Sequence, residues 1–297
     1  VILVFGSINL DLIFALPRIP REGETVLGPA TRVEPGGKGA NQAVAAARDG
    51  AGVIMAGAIG DDPLGDAALG LMKQAGVNLG RVPRVAASTG CAAIAVDPRG
   101  NNAIAVGSGA NLFALASQVE DSLLGPDTTV VLQMEVPAAE TAALIHRART
   151  AGARIVLNLA PAAALPEDTL RAVDVLVVNE TEGAWLAGHL GCPASAVSLR
   201  DRLGGVTVLL TRGGDGADVA GDGTSWHEPA SPVDAIDTTA AGDCFVGVLA
   251  SRLDGGDSLR SAVQSASVAA ALCCTRAGSQ GSLPERCETD GFARDPG

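Results

Sequence analysis

Short runs of aliphatic and β-branched residues recur along the chain, separated by alanine-rich stretches in which apolar positions return at helical spacing. Val1–Phe5, Val53–Ala58, Val130–Met134, Ile155–Asn158, Val173–Val178 and Val206–Thr211 are continuous apolar runs, which predicts strands covered on both faces. Between and after them the pattern predicts helices over Ala40–Arg48, Leu64–Gln74, Ala138–Thr150, Gly242–Leu253 and Leu259–Thr275. Pro137 suits the first turn of the third helix and Gly152 its C-terminal stop. Strands and helices in alternation predict an α/β fold around a mostly parallel, doubly wound sheet. Two segments break the rhythm. Ile8–Val33 and Ala92–Val106 alternate polar and apolar residues and carry turn formers such as Pro17, Pro20, Gly28 and Gly100. They predict small antiparallel strands outside the main sheet, able to pair and to cover a site at the strand ends. No repeat or linker divides the chain. Residues 1–297 read as one domain with a lid built from insertions at about 8–35 and 90–107, and with a poorly ordered tail over Glu285–Gly297.

Composition narrows the partners. The 297 residues are 47% hydrophobic, enough for a sizeable core, but only 2% aromatic, with no Tyr. A nucleic-acid binder that stacks bases would lack its platforms. Lys and Arg number 21 against 33 Asp and Glu, and the net charge of −12 repels phosphate backbones and anionic lipid. Nucleic acid and membrane are therefore set aside as partners. The uncharged run Asn102–Val119 has the length of a membrane span, yet Gly107, Gly109, Asn111 and Gln118 make it a poor lipid-facing helix. The apolar opening Val1–Gly6 is too short for a signal peptide, and it reads as a buried first strand lacking its original leading residues. Cys91, Cys192, Cys244, Cys273, Cys274 and Cys287 form no C-x-x-C pair. They read as small buried hydrophobes of a reducing cytoplasm, not as a disulfide framework.

Several common sites are absent. Gly37-Lys38 is followed by Gly39, so there is no P-loop, and no G-x-G-x-x-G follows the first strand. No G-x-S-x-G elbow occurs, and His146, His189 and His227 stand apart without metal-ligand spacing. What remains is a set of small-residue loops at strand and helix ends. Gly36-Gly37-Lys38-Gly39-Ala40-Asn41 precedes a helix; its glycines allow close backbone approach, and Lys38 and Asn41 can bond hydroxyls. A tight helix-packing turn explains the glycines equally well. Asp237-Thr238-Thr239-Ala240-Ala241-Gly242-Asp243 leaves consecutive N–H groups unobstructed, as an anion hole requires, and puts Asp243 in a first helical turn. There it can accept a hydroxyl proton, or simply complement the helix dipole. Asn179 and Glu182 follow a strand and can hold Mg²⁺ through water, or cap the next helix, or both. Thr211-Arg212-Gly213-Gly214-Asp215-Gly216 ends another strand as a nucleotide-accommodating turn or a plain hairpin. Asn9 and Asp11 leave the first strand as candidate sugar ligands or as turn formers.

Taken together these residues resemble the ribokinase-like (PfkB-type) carbohydrate kinase family along almost the whole chain. Gly36–Arg48 (GGKGANQAVAAAR) is similar to the first signature of that family and Asp237–Asp243 (DTTAAGD) to the second, in the order the family has them. Gly6–Asp11, Asn158–Pro161, Asn179–Glu182 and Thr275–Gly278 add to the likeness. The resemblance implies a Rossmann-like domain with a β-sheet lid that often forms a dimer contact. It also implies ATP-dependent phosphorylation of a sugar hydroxymethyl, with the 5-hydroxyl of ribose as the expected acceptor. By matching position, Asn9, Asp11, Gly37, Lys38, Gly39, Asn41 and Glu135 would bind sugar, and Asp243 would be the base beside the N–H groups of Ala240, Ala241 and Gly242. Asn179, Thr211, Arg212, Gly213, Gly214, Asp215, Gly216, Gly242 and Ser267 would lie along ATP. Oxygens of Asp237, Thr239, Cys273, Arg276, Gly278 and Ser282 would hold a monovalent cation, K⁺ by family likeness. The sequence departs from the usual pattern at Cys244, Val246, Val248, Ser267 and Gly281, none of which removes a required group.

Three readings follow: a ribose kinase, a related kinase for another sugar or a nucleoside, and a non-catalytic sugar-binding protein on the same scaffold. A purine would call for a larger pocket with an aromatic or apolar wall. Asp243 and the intact small-residue run disfavour the third reading. The expected ligands are a sugar and ATP with Mg²⁺, and the expected state is a cytoplasmic homodimer joined through the lid.

Overall fold

The computed structural model describes residues 1–99, 101–221 and 223–294. Gly100 lies outside them, as do the last three residues of the expected tail. Among the described residues, nine strands form the main sheet. Its spatial order is 224–228, 217–221, 207–211, 175–179, 154–158, 129–132, 2–5, 53–56 and 78–81. All neighbours are parallel up to Thr207–Thr211, and the last two strands turn back antiparallel. The six apolar runs all lie in this sheet, buried on both faces as parallel strands between helical layers require. The first strand, Ile2–Phe5, is fully buried between Val53–Ala56 and Thr129–Leu132, so the strand order reverses beside it. Open α/β sheets bind ligands at the carboxyl ends of the strands next to such a reversal.

Helix Lys38–Arg48 packs on helix Ala241–Asp254, which in turn packs on Leu259–Cys274. The first pair approaches closely because Gly247 has no side chain. A Cβ there would lie 2.5 Å from the Gln42 carbonyl and 2.6 Å from the Ala45 Cβ. This contact sets the start of Lys38–Arg48 against the start of Ala241–Asp254.

Four further strands, Asn9–Ala15, Ala30–Gly36, Gly90–Val96 and Asn102–Gly107, form a separate sheet. The expectation of antiparallel strands needs correction. Each insertion makes its own antiparallel hairpin, but the two hairpins join through a parallel pairing of Asn9–Ala15 with Gly90–Val96. The helix expected over Leu64–Gln74 is interrupted at Leu69 into Pro63–Ala68 and Gly70–Gln74, where Gly70 weakens propagation. The tail is the larger correction, because residues 286–294 form a helix. Its carboxylates are partnered from elsewhere: Arg252 joins Asp290 at 2.7 Å and the buried Asp49 at 2.8 Å, and Arg276 joins Glu288. The described cysteines are all free, and no described helix is long and apolar enough to cross a membrane.

Candidate active site

The glycine loop sits where the first strand ends. Gly37 has φ +89°, and a Cβ there would lie 2.8 Å from the Asn9 nitrogen, so both conformation and space demand glycine. The tight turn aims the start of helix Lys38–Arg48 at the strand ends. Glu135, just past strand Thr129–Leu132, accepts from the Lys38 N–H at 3.1 Å and from the Ser7 hydroxyl at 2.5 Å. Ser7 Oγ accepts in turn from the Gly39 N–H at 3.2 Å.

Asp243 lies in the first turn of Ala241–Asp254, almost buried. Its Oδ2 accepts from Asn41 Nδ2 and its Oδ1 from Gln42 Nε2, both at 2.9 Å. Asn41 Oδ1 is buried without a partner. Ala240 caps the helix at φ +59°, a left-handed conformation that costs an L-residue about 1–2 kcal/mol. Strain of this kind is common where backbone donors are aimed at a ligand. Of the proposed anion-hole donors, the Ala241 N–H makes a long 3.3 Å bond to the Thr238 carbonyl.

A cleft of about 250 Å³ opens beside Asp243, lined by Lys38, Asn158, Asn179, Glu182, Thr211 and Thr238 together with Ala240, Gly242 and Asp243. The field inside it is mixed. The Lys38 ammonium is held above its usual range, chiefly by Asp243 and then by Glu135 and Glu182 against the cost of burial. Burial pushes Glu182 up in spite of the hydrogen bond from the Asn179 N–H. Asn179 and Glu182 form a reciprocal capping box, at 2.8 and 2.9 Å, so the capping reading of this pair holds.

Asn9 and Asp11 stand on the separate sheet; neither lines that cleft, but Asp11 is near enough to Glu135 and Asp243 to feel their charge. Asn9 Oδ1 accepts from the buried Asn111 amide at 2.7 Å. Asp11 is 8% exposed, and its carboxyl is pushed up to about 7, first by burial and then by Glu135, Glu34 and Asp243. In the unfolded chain an Asp titrates near 4, so between about pH 4 and pH 7 the native state keeps a proton that the unfolded state has released. Stability of the free protein therefore falls as pH rises through that window, by at most about 1.4 kcal/mol per pH unit from this group. Asp11→Asn is expected to raise Tm at pH 8 and leave it nearly unchanged at pH 4. Equal shifts at both pH values in thermal melts would contradict this origin.

Asp237 is held below the usual range, because bonds from the Thr239 side chain, the Gly278 N–H (3.0 Å) and the Thr239 N–H (2.9 Å) outweigh its burial. Nearby, Cys273 Sγ lies 3.0 Å from the Ser282 hydroxyl and 3.7 Å from the Thr239 carbonyl. Arg276 turns away to Glu288. The structure does not bring every expected residue into the cleft. Of Thr211–Gly216 only Thr211 lines it. The segment is a hairpin turn joining two antiparallel strands, and Arg212 pairs with Asp218 at its base. Ser267, nearly buried on its helix, does not line it either. Five further polar residues belong to the site: Ser7, Gln42, Asn111, Gln133 and Asn158. Of these, Ser7, Gln42 and Asn158 stand inside the motifs named above, which is the signal that could have found them.

The pfkB carbohydrate kinase family model matches residues 1–286. The chain belongs to that family. A ribokinase of Haemophilus influenzae is 36% identical over 293 residues, covering 96% of each chain. A deoxyribokinase of Salmonella typhimurium is 35% identical over 294 residues, covering 95% of each. A ribokinase structure from Thermotoga maritima superposes with a TM-score of 0.92 at 31% identity, covering 99% of both chains. As a pfkB kinase, the protein is a phosphotransferase that acts on a hydroxyl group in an ATP-dependent reaction, on the doubly wound fold read from its sequence.

Proposed function

We propose that the chain transfers the γ-phosphoryl group of ATP to the 5-hydroxyl of D-ribose, giving ribose 5-phosphate and ADP. The observation that carries this reading is the convergence of Asn41, Lys38, Glu135 and Asp11 on Asp243 beside a helix N-terminus. These groups form a hydroxyl-binding set with no aromatic wall. The orphaned Oδ1 of Asn41 is an acceptor suited to a sugar hydroxyl. Asp243 takes the proton of the attacking hydroxyl as the new O–P bond forms and the bond to the β-phosphate oxygen breaks. The N–H groups of Gly242 and Asp243, at the start of their helix and in residues that line the cleft, are the donors this reading assigns to the transferring oxygens. Lys38 adds positive charge on the sugar side.

Two ions accompany this reading. Glu182, with Asn179, supplies hard oxygen donors for Mg²⁺ held through water, and the ion's chemistry is to neutralise charge on the ATP phosphates. For the monovalent cation, the Asp237 carboxylate is a hard oxygen donor, and the Thr239 carbonyl meets only the weak Cys273 thiol. Arg276 is engaged by Glu288 and does not satisfy that loop. The donor set fits K⁺, which would brace the turn leading into Ala240–Asp243. Turnover is expected to be higher in K⁺ or Cs⁺ than in Na⁺ or tetramethylammonium at matched ionic strength. Equal rates in all four would discard the cation site.

The separate four-stranded sheet serves as a lid that excludes water from the reaction. Its apolar face, with Ile13, Ile94 and Ile104, borders a groove of about 960 Å³ that reaches Ile236 and Thr238. Ile104 and Ile236 are 57% and 72% exposed, which suits burial against the lid of a second copy in a homodimer. The same aliphatic groove is the one observation that favours a nucleoside, whose base it would cover. A coupled assay of ADP release over ribose, 2-deoxyribose, fructose and nucleosides separates these readings, and adenosine exceeding ribose in kcat/KM would replace the ribose reading. The free thiols, including the exposed Cys287, suit a reducing cytoplasm.

A further inference from the structure

Behind Asp243 runs a relay of side-chain amides that no step above uses. Gln42 Nε2 donates to Asp243 Oδ1 at 2.9 Å, and Gln42 Oε1 accepts from Gln133 Nε2 at 2.6 Å. Both glutamines are fully buried. An ionised carboxylate offers only acceptors, so Gln42 must meet it with its NH₂ group. Its carbonyl then faces Gln133, which must answer with its own NH₂. The second Nε2 hydrogen of Gln42 goes to Asn158 Oδ1 at 3.2 Å. Gln42 has thus committed both hydrogens within the protein, and its fully buried side chain presents no donor to a substrate. Gln133 Oε1 has no partner, and it fills the space that a Cβ on Gly6 would need, 1.8 Å away.

Asn41 and Gln42 are consecutive, yet they grip opposite oxygens of the same carboxylate. Two donors from one helix fix the plane of the Asp243 carboxyl relative to the neighbouring helix, whose close approach Gly247 permits. Each oxygen still has one lone pair for the incoming proton.

We propose that Gln42, oriented by Gln133, is a positioning residue for the phosphoryl transfer, holding the Asp243 carboxylate in line with the acceptor hydroxyl. The inference rests on Asp243 being the base. Gln42→Met keeps side-chain length and burial while removing donor and acceptor. Misplacing a reacting group by about 1 Å costs on the order of 10²-fold, so kcat is expected to fall about 30–100-fold. KM for ribose and for ATP should stay within about threefold, because the groups that bind them are untouched. Gln133→Met, one residue further from the carboxylate, should lower kcat by about tenfold in the same way. It carries the test if Gln42→Met does not fold.

The decisive readout is non-additivity. Groups that act as a unit do not add, so Gln42→Met placed in the Asp243→Asn background should lower kcat no further. A mere packing defect would lower both backgrounds by the same factor. Gln42→Met with kcat within about threefold of the parent, while Asp243→Asn is crippled, overturns the positioning role and leaves the base in place. An equal further fall in the Asp243→Asn background overturns it as well. Near-parental turnover of Asp243→Asn alone removes the base assignment and this inference with it.

Discussion

Asp243→Asn is expected to lower kcat by about 10²–10⁴-fold while sugar binding survives. The replacement keeps shape and volume, and its side-chain oxygen can still accept one of the two amide bonds. Its NH₂, however, must face either Asn41 Nδ2 or Gln42 Nε2, donor against donor, and it cannot take a proton from the attacking hydroxyl. On the proposed reading the sugar is held by Asp11, Asn9, Lys38, Asn41 and Glu135, so KM for ribose should change far less than kcat. The anion-hole donors remain, which is why some turnover survives. Steady-state kinetics in both substrates checks the prediction, and a variant with parental kcat would remove Asp243 from the reaction.

The second large effect concerns the sugar. Sites that bond a substrate hydroxyl can reject an analogue lacking it by up to about 10⁴-fold, because buried polar groups are left unpaired. Asp11 is buried, carries no hydrogen bond that lowers its carboxyl, and is already opposed by Glu135, Glu34 and Asp243. A hydroxyl that donates to it offsets the burial and repulsion that oppose its charge. With 2-deoxyribose, kcat/KM should therefore fall steeply if the 2-hydroxyl is one of its donors. Overall identity does not decide this, since a ribokinase and a deoxyribokinase match the chain almost equally, at 36% and 35%. Comparable kcat/KM for the two sugars would mean that Asp11 bonds other hydroxyls.

Much of this molecule is legible in its sequence because the relevant signals are local. Parallel strands buried on both faces appear as unbroken apolar runs, and Gly37 marks a turn that only glycine can make. The small-residue run before Asp243 is likewise a short contiguous string. What escaped depends on contacts across the chain. Gln42 reads as one polar residue in an alanine-rich helix, and only Gly247, on a helix some two hundred residues later, brings it to Asp243. Ser7 and Asn111 gain meaning from Glu135 and Asn9, which lie over a hundred residues away in each case. The polar string after Glu285 looks like a frayed end until Arg252 and Arg276 are seen to neutralise its carboxylates. The parallel junction of the two hairpins was hidden for the same reason, since alternation along a strand does not say which way its partner runs.

Phosphoryl transfer from ATP to the 5-hydroxyl of ribose is best checked by identifying the product. The purified protein is incubated with ATP, Mg²⁺, K⁺ and ¹³C-labelled ribose, and the carbon and phosphorus NMR spectra of the products are recorded. ADP and ribose 5-phosphate are expected in equal amounts, with phosphorus coupled to C5. Phosphate on the anomeric carbon, or ADP release that does not depend on ribose, would contradict that transfer.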